Sequence, residues 1–206
     1  MNTKQKLVKR VIIALFAAII IIQNFIPFLG YIPLGPLNLT IIHITVIVVA
    51  LSMGPLYGGI VGGIWGVITW IRAFVWPTSP LATIVFVNPL IAILPRILIG
   101  IVAGGSFSWL KKRLAKQSSA MVLAAILGSL TNTLLVLGQI YLFYRGKSQA
   151  MYALNVNELL PYLLGVIATN GLPEAILAGL VSPLIAGPLR RGWKIINGKK
   201  KVTPSR

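Results

Sequence analysis

Apolar positions along this chain run in long blocks, broken at intervals by Pro, Gly or clustered Lys and Arg. A bilayer core of ~30 Å needs about 20 apolar residues per helix. Six blocks reach or approach that length: residues 8–26, 39–53, 56–76, 83–110, 120–144 and 159–189. They predict an all-α integral membrane protein of six transmembrane helices, forming a single membrane domain over residues 1–206. The second block is short, about 22 Å at ~1.5 Å per residue. Gly54-Pro55 separates it from the third, because residues 39–76 are too long for one span. The stretches from Pro27 to Pro36 and from Pro77 to Pro80 are rich in Pro and Gly, as loops are.

Composition agrees with that picture. Hydrophobic residues make up 57% of the 206 positions and charged residues 10%, with a mean hydropathy of +0.90; a soluble domain carries about 25% charged residues. Lys4, Lys6, Lys9 and Arg10 precede the first block as in a signal peptide, but no small-residue cleavage site follows, so the block reads as a retained span. The net charge of +17 is a matter of placement. With a cytoplasmic N-terminus, 15 of the 19 basic residues fall on the cytoplasmic side: those four, Lys111, Lys112, Arg113 and Lys116, and the seven from Arg190 to Arg206. Lys and Arg concentrate there in multi-pass proteins of the cell membrane. Both termini are therefore expected inside, with 192–206 as a basic cytoplasmic tail. Merging the second and third blocks would send the 111–116 cluster outside. Orientation accounts for these charges without any nucleic-acid partner.

Gly54, Gly58, Gly62 and Gly66 recur at every fourth position, a smooth helical stripe that another backbone can approach. It reads first as packing within the protein. Ala14 and Ala18 form a second small pair in the cytoplasmic half of the first span. Counting upward from the basic residue at each helix end, Arg96, Glu174, Asn132, Gln23 and Asn24 share one level, about 20–24 Å up at ~1.5 Å per residue. Asn170, Gln139 and Asn88 lie one or two turns higher, and Pro89, Pro95, Pro161 and Pro173 fall in the same outer halves. Polar side chains at such depth face the interior, each other or a ligand. A layer drawn from four helices predicts an outward-facing pocket for a small polar molecule, with Trp65, Trp70, Trp76, Tyr141 and Tyr144 supplying aromatic surface nearby, although Trp76 and Tyr144 read first as members of the interfacial aromatic belt. Arg96 and Glu174 fit either an ion pair that holds two helices or a ligand contact. His43, near the outer end of the second span, fits either a ligand contact or helix packing.

Enzymatic chemistry finds little in this chain. There is no GxxxxGK[ST] phosphate loop, so ATP is not hydrolysed here. Two acids, one His and no Cys exclude a clustered metal site and most acid–base pairs. No cofactor is expected in this chain.

The run from Ile42 through Met53-Gly54-Pro55 to Gly66, with Asn88-Pro89 to Pro95-Arg96 and Gly100, resembles the substrate-binding S components of energy-coupling factor (ECF) vitamin transporters. The likeness extends over nearly the whole chain. It implies capture of a water-soluble vitamin from outside, toppling within the membrane, and release to the cytoplasm, driven by a transmembrane coupling subunit and two ATPases that bind the ATP. Ala14 and Ala18 match the motif that docks on the coupling subunit. The loops at about 27–38, 77–87 and 145–157 would close the pocket. The His43 run, the Gly-Pro turn and Pro95-Arg96 look most like the pantothenate type, although Thr45 stands where that pattern has Pro. Arg96 would suit a carboxylate, and Asn132, Asn170, Asn88 and Gln139 would suit hydroxyls and an amide, with Glu174, His43 and Trp70 as further contacts. A hydroxymethylpyrimidine, folate or riboflavin ligand, leaning on Trp and Tyr faces, stays open, as does a stand-alone small-solute transporter.

Overall fold

The computed structural model describes residues 3–26, 28–34, 37–77, 82–147 and 156–196. Helix α1 covers Thr3–Phe25 and is followed by a small antiparallel hairpin, β1 (Tyr31–Leu34) and β2 (Leu37–Thr40), with Tyr31 opposite Thr40. Then come α2 (Ile42–Met53), α3 (Pro55–Val75), the one-turn helices α4 (Ala82–Val85) and α5 (Pro89–Ala92), α6 (Leu94–Leu110) and α7 (Gln117–Tyr144). A continuous run closes the bundle: α8 (Val156–Val166), a π-helical segment (Ile167–Gly171) and α9 (Leu172–Ile196).

Among the described residues, five helical stretches are long and apolar enough to cross a membrane: Gln5–Phe25, Pro55–Val75, Pro89–Leu110, Gln117–Tyr144 and Asn157–Ile195. Helix α2 is as apolar but has only 12 residues, about 18 Å at ~1.5 Å per residue. It is the centre of the bundle. Its neighbours are α1, α3, α6, α7 and α9, and ten of its residues from Ile42 to Ser52 are buried. A helix enclosed on every side has no use for a polar face, which is why Ile42–Met53 shows none. The outer helices reverse the soluble pattern: Leu184, Leu142 and Leu56 are exposed, as lipid-facing surface requires.

The glycine stripe is the seam between α3 and its neighbours. A Cβ at Gly66 would stand 2.7 Å from Ile93 Cα, one at Gly62 would collide with the Arg96 carbonyl, and one at Gly58 would reach the Ala50 side chain at 2.5 Å. Gly54 plays a different part. Its φ of 112° makes the turn from α2 into α3, a conformation that suits glycine.

Three features depart from uninterrupted helices joined by loops. The Pro- and Gly-rich 27–38 stretch pairs part of its backbone as the hairpin. The 83–110 block is broken twice, because Pro89 and Pro95 withhold their amides and each opens a new helix instead of continuing one. The last block carries a π segment just before Pro173, where the Leu172 amide bonds back to Ile167. Such bulges absorb a missing donor without ending the helix. Most of the expected 145–157 loop and the tail beyond residue 196 lie outside the described residues.

We expect Gly62→Ala to lower stability by about 1–3 kcal/mol, because α6 must retreat from the new methyl group. Gly105→Ala, where nothing lies within 4 Å, should leave stability unchanged or slightly raised. Thermal unfolding of the two purified variants in one detergent checks the contrast. Equal transition temperatures would contradict the tight α3–α6 seam.

Candidate functional site

A cavity of about 560 Å³ opens at the end of the bundle that carries the hairpin. That size lies in the range of small-molecule sites. Its walls come from the last turn of α1 (Asn24, Phe25), the hairpin (Tyr31, Thr40), the second half of α3 (Trp65, Thr69, Arg72), Phe86, the start of α6 (Arg96) and the middle of α7 (Asn132). Phe28 and Trp76 stand exposed at the rim.

Arg96 is held in place by the preceding turn of chain, at the break between α5 and α6. Pro95 has no amide to give to the Ile91 carbonyl four residues back, and Arg96 Nη1 takes that carbonyl at 2.8 Å. The guanidinium lies between two rings, 5.2 Å from the centroid of Trp65 and 5.0 Å from that of Phe86. Cation–π attraction of this kind is strongest away from water, and Arg96 is only 5% exposed. Its Nε remains buried without a partner. No ion pair joins it to Glu174 among the described residues. Glu174 Oε1 instead accepts from the Thr40 amide at 2.6 Å, fastening the end of the hairpin to the start of α9.

Arg72 is the second cation of the cavity. Its Nη1 donates to the Asn24 carbonyl at the end of α1, and its guanidinium lies 5.3 Å from the Phe25 ring. Asn24 donates through Nδ2 to Ile20 O at 2.8 Å, while its Oδ1 is buried and unpartnered. Asn132 Oδ1 is in the same condition. Burial pushes the Tyr31 phenol up, against the lowering pull of Arg96 and Arg72, so it lines the cavity as a neutral hydroxyl. The walls therefore hold two guanidiniums, two amide oxygens in need of donors, two threonines, a phenol and several aromatic faces. Arg96 and Asn132, expected from the sequence to face a pocket, both line it.

The remaining expected site residues lie around the cavity without lining it. His43 is buried against Ser129, with Nε2 and Oγ 3.3 Å apart. Trp70 donates through Nε1 to Val87 O at 3.0 Å, and Tyr144 donates to Ile84 O at 3.0 Å, so that α3 and α7 grip the segment carrying Phe86. Asn88 caps α5 by accepting from the Leu90 amide. Gln139 Oε1 is buried without a partner away from the cavity lining, and Asn170 belongs to the π segment. Gln23 accepts from Thr45 Oγ1 at 2.8 Å, tying α1 to α2 with a donor that proline could not supply. Tyr31, Thr40, Thr69 and Phe86 were not singled out from the sequence; their depth depends on the hairpin and on the broken fourth block. Arg72 lies five residues before the 77–87 loop, and only that nearness to a loop marks it in the sequence. Ala14 and Ala18 stand on the exposed side of α1, beside Val11 and Leu15.

A family model described as the substrate-specific component of ECF transporters matches residues 8–186. A pantothenate transporter, PanT, of Leuconostoc mesenteroides is 33% identical over 186 residues, covering 87% of this chain and 89% of its own length. A pantothenic acid transporter, also called PanT, of Lactococcus lactis is 30% identical over 194 residues, covering 87% of this chain and 92% of its own.

The Glu174–Thr40 bond has a direct readout. Glu174→Ala should speed hydrogen exchange of the Thr40 amide by roughly tenfold or more, since a hydrogen bond to a charged group contributes about 1.5–3 kcal/mol. Glu174→Gln keeps an acceptor oxygen and should show a smaller change. Unaltered protection of Thr40 in the alanine variant would rule out this fastening.

Proposed function

This chain belongs to the substrate-specific components of ECF transporters, and on that premise we propose that it captures pantothenate in the cavity between Arg72 and Arg96. The observation that carries the choice of ligand is the Arg96 guanidinium: buried, stacked between Trp65 and Phe86, and with Nε unpartnered. Pantothenate offers one carboxylate, two hydroxyls and a secondary amide. A guanidinium binds a carboxylate through charge-assisted, often paired hydrogen bonds. The orphaned Oδ1 atoms of Asn24 and Asn132 need donors, which the ligand's O–H and N–H groups supply. Glu174 serves as a positioning residue, holding the hairpin that carries Thr40 and Tyr31. The names of the two relatives support the same vitamin.

Family membership makes the protein a multi-pass transport component of the plasma membrane, and we read no enzymatic role beside it. We extend this to a single membrane domain of six spans, α2 serving as the short one, with both termini cytoplasmic. Capture takes place at the hairpin end, and release follows toward the basic end once the protein topples. Energy comes from a transmembrane coupling subunit and two ATPases, which bind the ATP. The exposed face of α1 around Ala14 and Ala18 is the docking surface for the coupling subunit, where small side chains let a partner helix approach closely.

Calorimetric titration separates this reading from its rivals. Pantothenate should bind one to one, and Arg96→Ala should weaken it by roughly 10- to 100-fold, the range for a hydrogen-bonded charge. Pantothenol, with a hydroxymethyl group in place of the carboxylate, should lose far less. Equal losses would make Arg96 structural. Binding of a hydroxymethylpyrimidine, folate or riboflavin instead would keep the family and change the vitamin. Transport by this chain alone in liposomes would favour a stand-alone carrier.

Docking is tested separately. Ala18→Trp should leave pantothenate affinity intact yet abolish ATP-driven uptake in proteoliposomes that contain the coupling subunit and ATPases. Normal uptake would sink the assignment of that face.

A further inference from the structure

A second cavity, of about 520 Å³, opens at the opposite end of the bundle. It lies between the first turns of α1, the turn from α2 to α3, and the last turns of α6 and α9. Among the described residues four cations line it, Lys9, Lys111, Arg190 and Lys194, and no carboxylate does. The chain has only two acids. Glu174 is bonded to the hairpin and Glu158 begins α8, both far along the last helical run from Arg190. Four like charges around one hollow repel each other wherever water is scarce.

Three of the four cations, Lys9, Lys111 and Arg190, lie against aromatic rings. The Lys9 ammonium lies 5.8 Å from the Tyr57 centroid and 5.4 Å from that of Trp193, and these two rings meet edge to face at 5.9 Å. Arg190 lies 4.5 Å from the Phe107 centroid. Its Nη1 donates to the Leu51 carbonyl at 2.8 Å, and its Nε is buried without a partner. A cluster that served only orientation would have no need of this fixation.

We propose that this cavity binds the phosphate of an anionic phospholipid headgroup. The surrounding surface favours a lipid over a soluble phosphate: on the same helix ends Leu7, Leu56 and Ile195 are 61%, 68% and 68% exposed, apolar flanks for acyl chains. Basic pockets between spans take acidic headgroups in this way. The site is independent of the vitamin cavity and lies at the other end of α2.

The test uses the full chain in neutral-lipid nanodiscs, with dioctanoyl-phosphatidylglycerol as probe. Dioctanoyl-phosphatidylcholine and inorganic phosphate serve as comparisons, and retained molecules are counted by native mass spectrometry. The phosphatidylglycerol should be retained at least tenfold more tightly than the phosphatidylcholine. Lys9→Gln combined with Lys194→Gln should weaken it by roughly 30-fold, at about fivefold per charge. Thermal unfolding confirms that the double variant is folded; if it is not, Lys194→Gln alone, at an exposed position, should still show about fivefold. Equal retention of the two lipids, or an unchanged affinity in folded variants, overturns the proposal. Displacement of the phosphatidylglycerol by millimolar inorganic phosphate would assign the cavity to a soluble phosphate compound and overturn the lipid.

Discussion

A proline withholds an amide, and an arginine takes the carbonyl left behind: that exchange organises both ends of this bundle. In hydrocarbon no water can satisfy a backbone group, so every freed carbonyl must find a protein partner. Pro95 frees the Ile91 carbonyl, and the adjoining Arg96 occupies it. Pro55 frees the Leu51 carbonyl at the end of α2, and Arg190 arrives from α9. Each arginine is thereby fixed by one N–H while others remain for use. The cost of burying a guanidinium is offset by a carbonyl and by two rings at one end, and by a carbonyl and one ring at the other.

Charge balance then decides what the first cavity can hold. Two guanidiniums line it, and the nearby carboxylate of Glu174 is committed to the Thr40 amide. That commitment does two things at once. It keeps Glu174 from quenching Arg96 with an ion pair, and it fastens the hairpin to the helix that carries the π segment. A direct Arg96–Glu174 pair would have joined the helices but neutralised the guanidinium that lines the cavity. Gly62 adds a third constraint, because α3 approaches so closely that a methyl group there would strike the Arg96 carbonyl. Ring, carbonyl and glycine leave the guanidinium little freedom, which is the preorganisation that binding of a small anion needs.

Depth was legible in the sequence and direction was not. Counting residues from a basic helix end puts Arg96, Asn132 and Asn24 at the right height, and all three line the cavity. The same counting brings in Gln139 and Asn170, which share that part of the bundle but do not line it. Rotation about the helix axis depends on which neighbour packs where, and the π segment and the Pro95 break each shift it. The glycine stripe was readable as packing because a run of missing side chains needs a close neighbour. The hairpin was not readable: 27–38 has the Pro and Gly of a loop, and its pairing is set by what covers it. Tyr31 and Thr40 were hidden with it, and so was the true partner of Glu174.

The shortness of α2 links these features. At about 18 Å it falls roughly 12 Å short of a ~30 Å hydrocarbon core. As the central helix, flanked by α1, α3, α6, α7 and α9, it leaves a deficit inside the protein rather than at the lipid boundary. The surrounding helices continue past its ends, so its missing turns become internal space. At one end the hairpin and the side chains of α3, α6 and α7 enclose that space as the first cavity. At the other, the α2–α3 turn leaves the basic hollow beneath it. A central helix of full length would fill both. A short apolar core helix inside longer helices is thus sufficient to open a cavity at each end of the bundle without breaking its outer helices.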